Sequence, residues 1–258
     1  SYSLPIGFQR TQGSLKYMEL KSKNFYVYFD DKIVNEGQFT LNVLETAKPV
    51  VESWFGVLRN SALPIIISST TDNASFANFV TDAIELQTLG QGDKNLILHE
   101  YVHSSMYRHF DNILGPAGSA LHLLWLPSWW VEGIAESMTQ SIGSDLIAGI
   151  ERYQAIHNDW PSFNRLHNLY DGSAFAVRGY AVSAGWVSYL LKTISDSDFL
   201  YKIHKDFFYE SCPWYWVDSL LPFKDKLPFD KVLKKYFNKN SYELYVDYKN
   251  YVVSLWKN

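Results

Sequence analysis

NLILHEYVHSSMYRHF, from Asn95 to Phe110, reads as an amphipathic helix: Leu96, Ile97, Val102 and Met106 are available for a core, and neither Pro nor Gly interrupts the run. On such a helix His99 and His103 are i and i+4, so both imidazoles lie on one face about a turn apart and can point at one metal ion. Glu100 then stands beside that ion. Neutral imidazole and carboxylate suit zinc, and a catalytic zinc takes three protein ligands and leaves a fourth position to water.

The next helical stretch, SWWVEGIAE from Ser128 to Glu136, offers the remaining ligand. Pro127 and Ser128 precede an apolar-periodic run, with Ser128 placed as a cap before Trp129. Glu132 and Glu136 are again i and i+4. A solvated acidic face is the bland alternative, but Trp129, Trp130, Val131, Ile134, Ala135 and Met138 make the surroundings apolar, where an unpaired carboxylate is costly. Glu132 is therefore expected as third ligand, and Glu136, one turn on, as acceptor for the second ring nitrogen of a ligand histidine.

HEYVH, W-V-E-G-I-A-E (Trp130 to Glu136) and RGYAVSAGWVSYLL (Arg178 to Leu191) together resemble the gluzincin metallopeptidases, the group that includes thermolysin and the aminopeptidase N family, and more loosely the compact peptidase MA-like domains. The resemblance covers Ile84 to Leu191. It implies a zincin-like fold, a Zn2+ cofactor and a peptide or protein substrate. It gives the third-ligand role to Glu132, the glutamate before Gly, and the buttressing of a ligand histidine to Glu136. It implies that Tyr180, ten residues before Leu190, assists the oxyanion, as in the aminopeptidase branch. That branch grips the substrate amine with a Gly-x-Met-Glu-Asn strand, which SFANFVTDAIELQ (Ser75 to Gln87) does not reproduce, so an endopeptidase is expected. His103 and Glu132 stand farther apart than in those relatives, with the Gly/Pro loop DNILGPAGSA (Asp111 to Ala120) between them, a candidate for shaping or covering the cleft.

Two other functions fit the same residues. The site would also serve a non-peptidase hydrolase, since metal and base do not dictate an amide substrate. A peptide-binding or scaffolding module with a zincin-like fold is the other, and Glu100 argues against it, because a pure binder needs no base beside the metal.

With 258 residues and 47% hydrophobic content, the chain can bury a substantial core as one catalytic domain, 1–258. A net charge of −4, without a basic stripe, speaks against nucleic acid as a partner. No apolar run reaches the length of a membrane span; LHLLWLPSWW comes nearest and is broken by Pro127. The single Cys212 excludes an intrachain disulfide and reads as a small buried hydrophobe. A start at Ser1 without Met fits a product exported after a targeting segment is removed. The oligomeric state is not legible at this level.

Outward from the motif, NFYVYFD (Asn24 to Asp30) and LPIIISST (Leu63 to Thr70) read as strands, and Gly37 to Val57 as an amphipathic helix despite Pro49. FVTDAIELQ (Phe79 to Gln87) alternates as a half-exposed strand before the zinc helix, and the resemblance implies that it is the edge strand where a substrate backbone binds, by strand addition if its edge is unpaired. After Glu136 the pattern is helical, through SDLIAGIERYQAI and YAVSAGWVSYLLKTI to FDKVLKKYFNKNSYELYVDYKNYVVSLW. The expected class is α+β, with an amino-terminal mixed sheet and helices over about 1–140 and a mainly helical lobe over about 141–258. His109, His122, His157, His167 and His204 lack paired ligand spacing and read as ordinary polar or packed residues, His157 and His167 standing as reserves for oxyanion stabilisation.

Overall fold

The computed structural model describes residues 17–56, 61–68, 75–78, 82–87, 93–108, 126–167, 169, 175–211 and 228–257. The loop Asp111–Ala120, His109, His122 and Cys212 lie outside them, as do Phe79 to Thr81. The chain divides into two compact units, Ser1–Ala120 and Leu121–Asn258. Its class is mixed α and β, with a five-stranded sheet in the first unit and helices in the second.

The first unit begins with a hairpin, β1 (Tyr17–Lys21) antiparallel to β2 (Phe25–Asp30). Ser22 closes its turn, since its hydroxyl accepts from the Asn24 and Phe25 amides at 3.1 and 3.0 Å. Helix α1 (Val34–Phe55) follows, then β3 (Leu63–Ser68), β4 (Phe76–Asn78), β5 (Ala83–Gln87) and helix α2 (Lys94–Arg108). The strand order is β1-β2-β3-β5-β4, with β2, β3 and β5 parallel and the two outer strands antiparallel. Parallel registers align Val27 with Ile65 and Ile65 with Ile84, which puts a row of branched apolar side chains across the middle of the sheet. Alternation in β3, with Leu63, Ile65 and Ile67 buried, gives the sheet its core face.

One expectation is corrected here. The strand read as an edge lies inside the sheet: β5 pairs with β3 on one side and β4 on the other, and the three-residue β4 is outermost. Ala83, Ile84 and Leu86 are all buried, as an interior position requires, and the alternation of Glu85 and Gln87 was a weak guide. Helix α1 packs on β2, and α2 packs on α1, β4 and β5. Asp93 caps α2, its carboxylate accepting from the Asn95 and Leu96 amides at 2.9 and 3.2 Å.

The second unit is built on α3 (Ser128–Thr139), which is buried from Ser128 through Glu136. A helix apolar on all sides needs neighbours all round. Its largest is α5 (Phe175–Thr193), against which α4 (Ser144–His157) also packs. Gly133 sets the distance: a Cβ there would sit 2.6 Å from Val187 Cγ2 and 2.7 Å from the Ser183 carbonyl oxygen, so only hydrogen fits. Trp129 stacks on Trp186 with ring centroids 3.7 Å apart. Helices α6 (Phe199–Ser211) and α7 (Pro228–Phe237) pack together, and α8 (Ser241–Trp256) closes the unit against α4 and α5. Ser128 is the first residue of α3 and not its cap, a second correction: Pro127 holds the N-cap position, and the Ser128 hydroxyl donates to the His167 carbonyl at 2.9 Å. Among the described residues no helix is long and apolar enough to cross a membrane.

Candidate metal centre

Helix α2 places His99 and His103 one turn apart as the spacing requires, with ring centroids 4.6 Å apart and planes at 84°. Their Nε2 atoms approach to 3.0 Å. Two nitrogens held about 2.0–2.1 Å from one tetrahedral zinc stand roughly 3.3 Å apart, so the pair is already spaced as two ligands of a single ion. Both rings are buried, and so is Glu100 between them in sequence.

What holds α2 in place is a set of residues the motif does not single out. Tyr101, fully buried, donates its phenol proton to Glu52 Oε1 at 3.2 Å. Glu52 lies on α1 and its other oxygen pairs with the Lys48 ammonium. The carboxylate, buried itself, thus has a cation on one oxygen and a phenol on the other, which offsets its loss of water. Lys48 and Glu52 are visible in the sequence as an i,i+4 pair, but their link to the middle residue of HEYVH is tertiary and left no local trace.

Glu132 and Glu136 sit on α3, both buried. Glu136 accepts from the Ser141 hydroxyl and, on its other oxygen, from the Ile142 amide at 3.2 Å. It therefore ties down the turn that follows its own helix, a bond that reading α3 as an isolated pattern misses. At the end of α3, Gln140 adopts a left-handed conformation, φ 53°, and returns its amide to the Glu136 carbonyl at 2.8 Å. Tyr180 is half-buried on α5, the helix that packs on α3.

The ligand atoms of His99, His103 and Glu132 all lie within 4.8 Å of one another, and all three residues are buried. Two imidazoles and one carboxylate, shielded from water, form a group that could hold a metal ion.

The other histidines divide by what their nitrogens touch. An indole N–H can only donate, so the 3.1 Å contact from Trp130 Nε1 makes His204 Nε2 an acceptor, and His204 Nδ1 donates to the Leu200 carbonyl at 2.8 Å. His204 is a neutral, fully buried packing residue. His167 donates from Nδ1 to the Phe163 carbonyl at 3.1 Å, and its Nε2 is buried without a hydrogen-bond partner. That burial lowers its pKa, against the opposing pull of the Phe163 carbonyl and Asp230. His157 is exposed at the end of α4, its ring 4.5 Å from that of Tyr153. No protein-family model matches this chain, and no curated protein sequence matches it.

Proposed function

We propose that the protein is a zinc-dependent peptidase of the gluzincin kind with a zincin-like fold, most simply an endopeptidase. The observation that carries the reading is the buried convergence of His99, His103 and Glu132, whose ligand atoms lie within 4.8 Å of one another, with Glu100 next to the first histidine on the same helix. Among the described residues the ligand set is three, which is the catalytic pattern, whereas a structural zinc site is closed by four protein ligands. A zinc ion there would supply Lewis acidity, polarising a carbonyl and bringing the pKa of water to about 7.

The chain's own residues supply the rest. Glu100 is the general base: it accepts a proton from the attacking water and delivers it to the departing amine, so that no covalent enzyme intermediate is needed. Its buried setting excludes competing solvent. Tyr180 is assigned as donor to the oxyanion. Glu136, already holding Ser141 and Ile142, is assigned to orient a ligand histidine. Among the described residues β4, rather than β5, ends the sheet on that side, and it is assigned to main-chain pairing with an extended substrate.

The test separates metal from chemistry. Elemental analysis of the purified chain should find zinc at one equivalent, and a mixed-peptide library should be cleaved. Glu100→Gln keeps the side-chain shape but removes the base, and should retain zinc and peptide affinity while losing turnover. A zinc-loaded wild type that cleaves nothing in a broad library would transfer the site to a binding module.

A further inference from the structure

Tyr101 is the middle residue of HEYVH, and helix geometry gives it a direction that neither histidine shares. At about 100° per residue, His99 and His103 point about 40° apart, and Tyr101 lies about 160° from each, on the opposite side of α2. There it is fully buried. Its ring meets Phe25 of β2 edge-on, with centroids 5.6 Å apart and planes at 74°, and its hydroxyl reaches Glu52 of α1 at 3.2 Å. That carboxylate is only 4% exposed and is itself fixed by the Lys48 ammonium, one turn earlier on α1. A strand and a helix thus hold the back of α2 through one side chain. All of them, with both histidines, belong to the first unit, Ser1–Ala120.

Magnitudes argue that this bond does more than pack two helices together. A side-chain tip lies about 5–6 Å from a helix axis, so a roll of about 10° carries it through about 1 Å. Zinc–nitrogen distances are held to within about 0.2 Å of their usual values. Apolar contact is non-directional and resists such a roll weakly, whereas a hydrogen bond to a carboxylate pinned at its other oxygen is directional. For stability alone, an apolar pair of similar volume would serve α1 and α2 about as well, without taking a carboxylate and its cation out of water. We propose that Tyr101, through Glu52 and Lys48, is a positioning residue for the metal pair: it sets the roll of α2 about its axis and so the direction in which His99 and His103 present their nitrogens. This role rests on the metal reading of the site and adds a source of metal affinity that lies behind the ligand helix.

The test uses the full chain, with zinc affinity measured by competition with a chelating dye and the visible spectrum of the cobalt(II)-loaded chain reporting coordination geometry. Tyr101→Phe removes one hydroxyl and keeps the ring on Phe25. It should weaken zinc binding by about tenfold to 100-fold, the scale of a partner that orients a ligand histidine, and shift the cobalt bands. Tyr245→Phe is the control: it also deletes a buried phenol hydroxyl, one that donates to the Pro161 carbonyl at 2.8 Å, but in the second unit. It should lower the melting temperature and leave both metal readouts at their wild-type values. Glu52→Leu should weaken zinc as Tyr101→Phe does, and the double variant should bind no worse than the poorer single one, since both changes cut the same bond. Should Glu52→Leu not fold, the two phenol deletions decide by themselves. Wild-type zinc affinity and cobalt spectrum in a folded Tyr101→Phe would overturn the positioning role, as would equal zinc losses in the two phenol deletions or additive losses in the double variant. A wild-type chain that binds neither zinc nor cobalt would overturn the metal reading itself, and this role with it.

Discussion

Among the described residues, what the nitrogens of each histidine touch separates those that could hold a metal ion from those that could not. His204 is spent: one nitrogen accepts from Trp130 and the other donates to Leu200. His99 and His103 instead bring their Nε2 atoms to 3.0 Å, close to the spacing of two ligands around one ion. Removing either, as His99→Ala or His103→Ala, should abolish stoichiometric zinc, read by elemental analysis; full zinc in either variant would overturn the site. Tyr180→Phe removes one hydroxyl and leaves the ring. If that hydroxyl serves the transition state, turnover should fall on the order of 100- to 1,000-fold with KM little changed, and a loss below about threefold would move the oxyanion role to another donor. Tyr101→Phe tests a different function of a phenol. Glu52 would lose a donor while staying buried, so stability should drop by about 1–3 kcal/mol in thermal or urea unfolding.

At the scale of elements, α3 is the one whose neighbours matter most. Gly133→Ala adds a methyl where Val187 and the Ser183 backbone already stand, and α3 or α5 must give way. Overpacking of this kind costs about 1–3 kcal/mol, so the unfolding midpoint should fall by several degrees; an unchanged midpoint would show that the two helices separate easily. The pairing of His99 and His103 was legible in the sequence because i and i+4 on a helix is a local relation, and α2 runs over Lys94–Arg108, close to its expected span. Glu132 was legible through its apolar surroundings. The edge strand was not, because pairing on both sides of β5 depends on β3 and β4, which lie elsewhere in the chain. The break in the last helical run was legible in principle. Asn240 and Glu243 form a capping box, each side chain accepting the other's backbone N–H at 2.9 and 2.7 Å, and Asn-x-x-Glu is its written signature.

On the scale of the whole molecule, two partly buried titrating groups set opposite responses to pH. Burial holds the His167 pKa below its ordinary 6.5, so as pH falls through 6.5 the unfolded chain takes up the proton first and the folded state loses stability. Burial raises the Glu151 carboxyl above its ordinary 4.5, with the Tyr248 hydrogen bond at 2.7 Å working the other way. Glu151 therefore costs stability as pH rises from 4.5 through its folded value. In the metal-free chain, His167→Asn, which keeps a donor for the Phe163 carbonyl, should flatten the loss of melting temperature between pH 7 and 5.5. Glu151→Gln should remove the loss of stability that sets in as pH rises from 4.5, and curves parallel to the wild type's for each variant in its own window would refute both assignments. The full enclosure of α3 has a further consequence, for the timing of opening. An amide in a helix that is covered on every side exchanges with solvent only when its neighbours come away, whereas the outward amides of α4 exchange through local fraying. Deuterium should thus reach Trp129–Ala135 last in the second unit, so that Glu132 is carried by the slowest-opening segment and its carboxylate keeps its place through the smaller fluctuations that loosen the helices around it.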